Sequence, residues 1–129
     1  MTDKFRFSES SEKKLSSVHP DLIRVARLAL KYSPIDFGVT EGIRSIKRQK
    51  ELVEVGASQT MNSRHITGHA VDVVAYVGGR VRWDWPLYEI ISGAFKLASA
   101  DLNIPIVWGG GWRTLKDGPH YELDRRFYP

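Results

Sequence analysis

Ser63-Arg64-His65-Ile66-Thr67-Gly68-His69-Ala70-Val71-Asp72, running on through Val73-Val74-Ala75-Tyr76, changes character part-way along. Its first half is polar and ends in a glycine, so it reads as a loop that turns at Thr67-Gly68, where glycine allows backbone angles closed to other residues. From His69 to Tyr76 β-branched residues recur, and this half reads as a strand. The turn has a chemical consequence. Seven residues separate His65 from Asp72, and the two can meet at one point only if His65 sits on the loop and Asp72 within the strand.

Both are metal-ligand types. The chain contains no cysteine, which excludes disulfides, thiolate catalysis and thiolate metal sites, so any metal must be held by His, Asp or Glu. A catalytic zinc takes about three such ligands and leaves a fourth position for the water it activates. With four histidines to draw on, the third ligand is expected at His120. It opens the stretch Pro119-His120-Tyr121-Glu122-Leu123, which can lie beside the Asp72 strand if the two pair. Three residues earlier stands Asp117, and Gly118-Pro119 fixes the bend between them. That puts a second carboxylate near the metal but outside its ligand set, where it can take a proton from the water and pass it to a leaving amine.

Alternatives exist for several of these residues. Asp72 could orient a histidine from outside the ligand set, and Glu122, two residues after His120 and on the same side of the strand, is a rival base. His19, just before Pro20, reads as a helix flank, and His69 receives no role. Glu41 reads as a solvated loop carboxylate. Trp83, Trp85, Trp108 and Trp112 are expected in the core and cleft wall, since large aromatics gain most from burial. Trp112, beside Gly109-Gly110-Gly111, is the one expected to line a substrate groove.

Working outward, apolar residues from Pro20 to Tyr32 recur at three- and four-residue spacing and predict an amphipathic helix, ended by Ser33-Pro34. A weaker helix is expected over Ser8 to Leu15. Phe37 to Thr40 is a short strand, Ser45 to Val55 a second main helix closed by Gly56, and Ala57 to Ser63 a polar loop. Val77-Gly78-Gly79-Arg80 predicts a hairpin turn into Val81-Arg82-Trp83. A third helix runs from Trp85-Pro86 to about Ala100, a strand from Ile104 to Trp108, and the glycines then break it. The fold class is therefore α+β, with helices packed on a small antiparallel sheet that carries a single zinc site.

Length bounds the organisation. A chain of 129 residues has the size of one domain, and no repeat or linker marks off a second. The expectation is a single catalytic domain over 1–129 without a separate binding module. No stretch approaches the roughly 20 apolar residues of a membrane span, which argues against stable membrane association. The N-terminus lacks the apolar region of a signal peptide, so a cytoplasmic location is expected. The net charge of +4 suits a polyanionic partner. Its basic residues are scattered, however, without the dense stripe of a nucleic-acid groove, and no nucleic-acid partner is expected.

Ser-x-His-x-x-Gly-x-Ala-x-Asp at 63–72, followed by Asp-x-x-His at 117–120, resembles the zinc D-Ala-D-Ala peptidase family. That family includes VanX- and VanY-type dipeptidases and carboxypeptidases and the phage L-alanyl-D-glutamate endolysins. The resemblance spans about Val39 to Leu123, and Gly42-Ile43-Arg44-Ser45 with Gln49 is similar to the family's Gly-x-Arg segment. It implies Zn2+ on His65, Asp72 and His120, catalysis by Asp117, and an Arg44 that contacts substrate and steadies the developing oxyanion. It also implies that Ser63 braces the site. Many carboxypeptidase relatives carry glutamate at the place of Asp117, and the shorter residue resembles the endolysin branch. The implied activity is hydrolysis of the L-Ala-D-Glu bond of the peptidoglycan stem peptide, by a monomer held in the host cytoplasm until lysis. A D,D-carboxypeptidase or dipeptidase releasing D-Ala, and a non-catalytic zinc or wall-peptide binder, are the competing readings.

Overall fold

The structure, a computed structural model, describes residues 4–58, 61–112 and 116–129. Gln59 and Thr60 of the expected polar loop, and Arg113 among the scattered basic residues, lie outside them. Helices α1 (Glu9–Leu15) and α2 (Pro20–Tyr32) lead into strand β1 (Asp36–Glu41) and helix α3 (Ile46–Glu54). Strands β2 (Ala70–Val77) and β3 (Arg80–Arg82) precede helix α4 (Trp85–Leu102), strand β4 (Ile106–Trp108), a 3-10 turn over Gly109–Gly111 and strand β5 (His120–Leu123). The strands form one antiparallel sheet in the order β1-β2-β5-β4, with β3 paired to the far end of β2. The expected α+β architecture is the one observed.

Local chemistry sets the boundaries. His19 caps α2, its Nδ1 accepting the Asp21 N–H at 3.0 Å, and Ser45 caps α3 by accepting the Arg48 N–H at 3.0 Å. Gly78 and Gly79 both take positive φ, 60° and 76°, as the tight β2-β3 hairpin requires. Helix α4 runs past Ala100 to Leu102 and stops on Asn103 in the left-handed conformation, a role asparagine tolerates. The next strand starts at Ile106 rather than Ile104. Ile104 still donates to Ser99 O behind it, and Pro105 has no N–H to offer a ladder.

The core lies between the sheet and helices α2 and α4. Leu22, Val25, Ala26 and Ala29 from α2 meet Ile91, Phe95 and Ala98 from α4, and Val71, Val73, Tyr121 and Leu123 close it from the sheet. Phe95 stacks on Tyr121 with ring centroids 3.7 Å apart. Because side chains alternate across a strand, burying Val71, Val73 and Tyr121 turns Asp72, His120 and Glu122 to the other face. The core thereby aims the site. The tryptophans divide differently from expectation: Trp108 and Trp112 are half-buried, but Trp83 is 66% exposed and Trp85 41%. Trp83 lies flat on Tyr88 at 6.1 Å, so its other face meets solvent instead of the core. Among the described residues no helix is long and apolar enough to cross a membrane.

Truncating the aromatic at the centre of the core tests this packing. Phe95→Ala should lower unfolding free energy by about 3–5 kcal/mol, read from urea denaturation followed by circular dichroism.

Candidate metal centre and cleft

Three neighbouring strands bring the polar face together. Asp72 is the register partner of His120 across the β2-β5 ladder and of Glu41 across β1-β2, beyond a register irregularity between Val39 and Glu41. Cross-strand partners share a face, so Glu41, Asp72 and His120 form a row. His65 arrives from the preceding loop, whose turn at Gly68 has φ +75°. The loop is fastened by Gly68 O, which accepts the His19 N–H at 2.8 Å, and by His65 O, which accepts the Arg44 N–H at 2.9 Å. Ser63 Oγ accepts the His65 N–H at 3.2 Å.

His65 and His120 approach the same oxygen. His65 Nε2 lies 3.2 Å and His120 Nδ1 3.3 Å from Asp72 Oδ1, and one donor atom from each residue falls within 4.8 Å of the others. The far nitrogens settle the tautomers. His65 Nδ1 is 2.9 Å from the Gly42 carbonyl oxygen, which can only accept, so Nδ1 carries a proton and Nε2 faces inward. His120 Nε2 is 2.9 Å from Glu122 Oε1, leaving Nδ1 as the inward donor. Each ring thus keeps a proton on its outer nitrogen and turns the inner nitrogen to Asp72, which it meets either through a second proton or through a cation held in that proton's place. The donor set fits a metal ion.

Charge is tuned around this point. Burial works against ionised Asp72, but hydrogen bonds from His120 and His65 outweigh it and hold the carboxyl far below its usual range. Burial likewise disfavours a charged His120, yet Asp72 and Glu122 together push it up to about 9. Asp117 is shifted the opposite way from Asp72. Burial and then the Asp72 charge raise it above the ordinary carboxylate value, against the pull of His120, His65 and Arg44. The two carboxyls of the site are thus shifted in opposite directions, Asp72 towards the ionised form and Asp117 towards the protonated one.

Asp117 is fixed through its main chain, its N–H donating to Gly109 O at 3.0 Å and its carbonyl accepting the His120 N–H at 3.1 Å. Arg44 is gripped on one edge by Glu41: Nε donates to Oε1 at 2.6 Å and Nη2 to Oε2 at 2.5 Å. Nη1 donates to buried Gln49 Oε1 at 2.7 Å, and Nη2 also stands 3.8 Å from Asp72 Oδ2. Glu41 is therefore no solvated loop carboxylate but the clamp of Arg44, a pairing that its position before Gly42 did not reveal. Glu122 belongs to His120 as a hydrogen-bond acceptor rather than standing free as a base. The Trp112 ring sits 5.0 Å from the His120 ring.

A cleft of about 820 Å3 opens over the row, and its lining includes Arg44, Ser63, His65, Asp72, Trp112, Asp117 and His120. These are all the site residues singled out in the sequence. Those missed are Glu41 and the cations Arg48, Lys116 and Arg125 on its wall.

Comparison with known proteins agrees with this geometry. The profile of the phage L-alanyl-D-glutamate peptidase family matches residues 3–129. The chain belongs to that family. It is similar to the L-alanyl-D-glutamate peptidase of Escherichia phage T5, at 36% identity over 128 residues, covering 96% of this chain and 93% of that protein. It is also similar to the Bacillus subtilis peptidoglycan L-alanyl-D-glutamate endopeptidase CwlK, at 30% identity over 125 residues, covering 84% and 74%. The crystal structure of the Serratia marcescens L-Ala D-Glu endopeptidase ChiX superposes with a TM-score of 0.93 at 54% identity, covering 98% of this chain and 96% of that one. The D,D-dipeptidase VanXYg shares the fold alone, with a TM-score of 0.54 at 17% identity, covering 82% and 50%. The resemblance read from the two motifs is thus borne out, and within it the L-alanyl-D-glutamate branch.

Gly109 offers a check on how closely the family's site is packed. A Cβ there would fall 2.5 Å from Asp117 O and 3.0 Å from His120 Cβ. Gly109→Ala should cost about 1–3 kcal/mol through overpacking, measured by thermal unfolding, and lower peptidase activity by displacing Asp117.

Proposed function

We propose that the chain is a zinc-dependent L-alanyl-D-glutamate endopeptidase acting on the stem peptide of peptidoglycan, in the manner of a phage endolysin. The observation that carries the reading is the convergence of His65, Asp72 and His120 on one point, beneath a cleft that also holds a carboxyl of raised proton affinity. A zinc ion held by those three residues would supply Lewis acidity to the scissile carbonyl and to the attacking water.

The chain's own residues do the rest. Asp117 sits in the cleft, and its raised proton affinity suits a group that must both take a proton from water and return one to the departing D-Glu amine. Arg44, its guanidinium clamped by Glu41 and Gln49, keeps N–H donors on Nη1 and Nη2 for the substrate. There they would bind the oxyanion formed from the carbonyl oxygen, and clamping beforehand removes the cost of ordering them during the reaction. Ser63 fixes the backbone of His65, and Trp112 walls the cleft beside His120. The cleft wall also carries Arg48, Lys116 and Arg125, a basic lining suited to a peptide rich in carboxylates. The whole chain would act as one catalytic domain and as a monomer, held in the host cytoplasm until it gains access to the wall.

Two experiments test the reading. Purified peptidoglycan treated with the protein should yield fragments with new N-terminal D-Glu by mass spectrometry, and a chelator should abolish them until zinc is restored. Release of free D-Ala instead would sink the assignment in favour of a D,D-peptidase. Asp117→Asn should lower kcat by about 10²–10⁴-fold with zinc content unchanged. Full activity in that variant would remove Asp117 from proton transfer.

A further inference from the structure

Arg64 stands between Ser63 and His65, in a loop where an arginine is ordinarily solvated. Its side chain is instead only 8% exposed. Nη2 donates to two main-chain carbonyl oxygens, that of Leu123 at 3.4 Å and that of Tyr128. Nε has no hydrogen-bond acceptor, but it lies 4.0 Å from Glu122 Oε2. A buried cation is tolerated only where its surroundings replace the water it lost. Here the charge that does so is the carboxylate whose other oxygen, Oε1, holds His120 Nε2 at 2.9 Å.

The remaining contacts are arranged to keep Arg64 in place. Tyr128 is itself pinned: its hydroxyl donates to Asp21 Oδ2 at 2.6 Å, and its ring meets His19 edge-on at 5.3 Å. Arg125 adds a second cation at 3.7 Å from Glu122 Oε2, and its Nη2 donates to Asn62 O at 3.1 Å, next to the same loop. The loop bearing His65, the strand bearing His120 and the C-terminal turn therefore meet on one guanidinium.

We propose that Arg64 is a positioning residue for the metal centre, holding Glu122 against His120 while it locks the His65 loop to the last strand through the Leu123 and Tyr128 carbonyls. The inference rests on the reading that His65, Asp72 and His120 bind the metal. Arg64 touches neither metal nor substrate in this role. It acts through the carboxylate that orients one ligand and through the backbone that carries the other.

Zinc affinity, measured by competition with a chromogenic chelator, tests it in the full chain and in Arg64→Met, Arg64→Lys, Glu122→Gln and the Arg64→Met/Glu122→Gln double variant. The melting temperature of each metal-free protein is recorded alongside. Arg64→Met and Glu122→Gln should each weaken zinc binding about 10-fold or more, the usual scale for partners that orient a ligand, and Arg64→Lys should weaken it less. The double variant should bind more weakly than either single variant but by less than their summed losses, because the two residues share the His120 contact while Arg64 also acts through the His65 loop. A purely structural arginine would lower the melting temperature and leave zinc affinity within about twofold of the parent, or its loss would add to that of Glu122→Gln. Either result overturns the proposal. If Arg64→Met does not fold, Arg64→Lys completes the same cycle. A parent chain that binds no zinc would overturn the metal-centre reading itself, whereas a parent that binds beside equally tight Arg64 variants overturns the positioning role alone.

Discussion

The antiparallel pairing of β2 with β5, with Asp72 directly opposite His120, is the constraint on which the rest of the molecule depends. A slip of one residue in either strand would turn the polar row into the core and bring Val71, Val73 or Tyr121 out to the cleft. Register is protected by that same burial. Val71, Val73, Tyr121 and Leu123 are fully or almost fully enclosed, so the hydrophobic stabilisation of one face fixes the chemistry of the other. The His65-Asp72-His120 cluster is in this sense set by the packing behind it as much as by its own contacts.

Around that pair the remaining parts arrive from loops, each fastened at the backbone. His65 is fixed by the Gly68 turn and by Ser63, and Asp117 by Gly109. Arg44 comes from the segment after β1, joined to the same loop by its N–H bond to His65 O. Loops carry the chemistry here because a strand can present only every second residue to one face. A ligand, a base and a cation needed around one point exceed what two short strands supply.

Much of this was legible in the sequence, for reasons that differ by residue. His65, Asp72 and His120 could be read because metal ligation restricts residue types severely and the strand period fixes which side chains share a face. The hairpin at Gly78-Gly79 and the helix starting at Pro20 follow from backbone sterics that act locally. The Glu41 clamp was not legible, since it depends on a register irregularity after Val39 and on the path of a long side chain across a sheet. Arg64 was hidden more deeply. Its burial is created by Leu123 and Tyr128, about half the chain away, and nothing near position 64 announces it. Trp83 went the other way: average aromatic burial predicted the core, whereas the β3 edge leaves one face of its indole in water.

The two histidines of the centre hand their outer protons to unlike acceptors, His65 to the neutral Gly42 carbonyl and His120 to the ionised Glu122 carboxylate. A negative partner draws more electron density toward the inward nitrogen than a peptide oxygen does. With a cation in place His120 would be the stronger donor of the pair and His65 the weaker, more labile one. A coordination sphere built on these residues would be graded: its firm side would lie in the sheet, and its yielding side on the loop that borders the cleft.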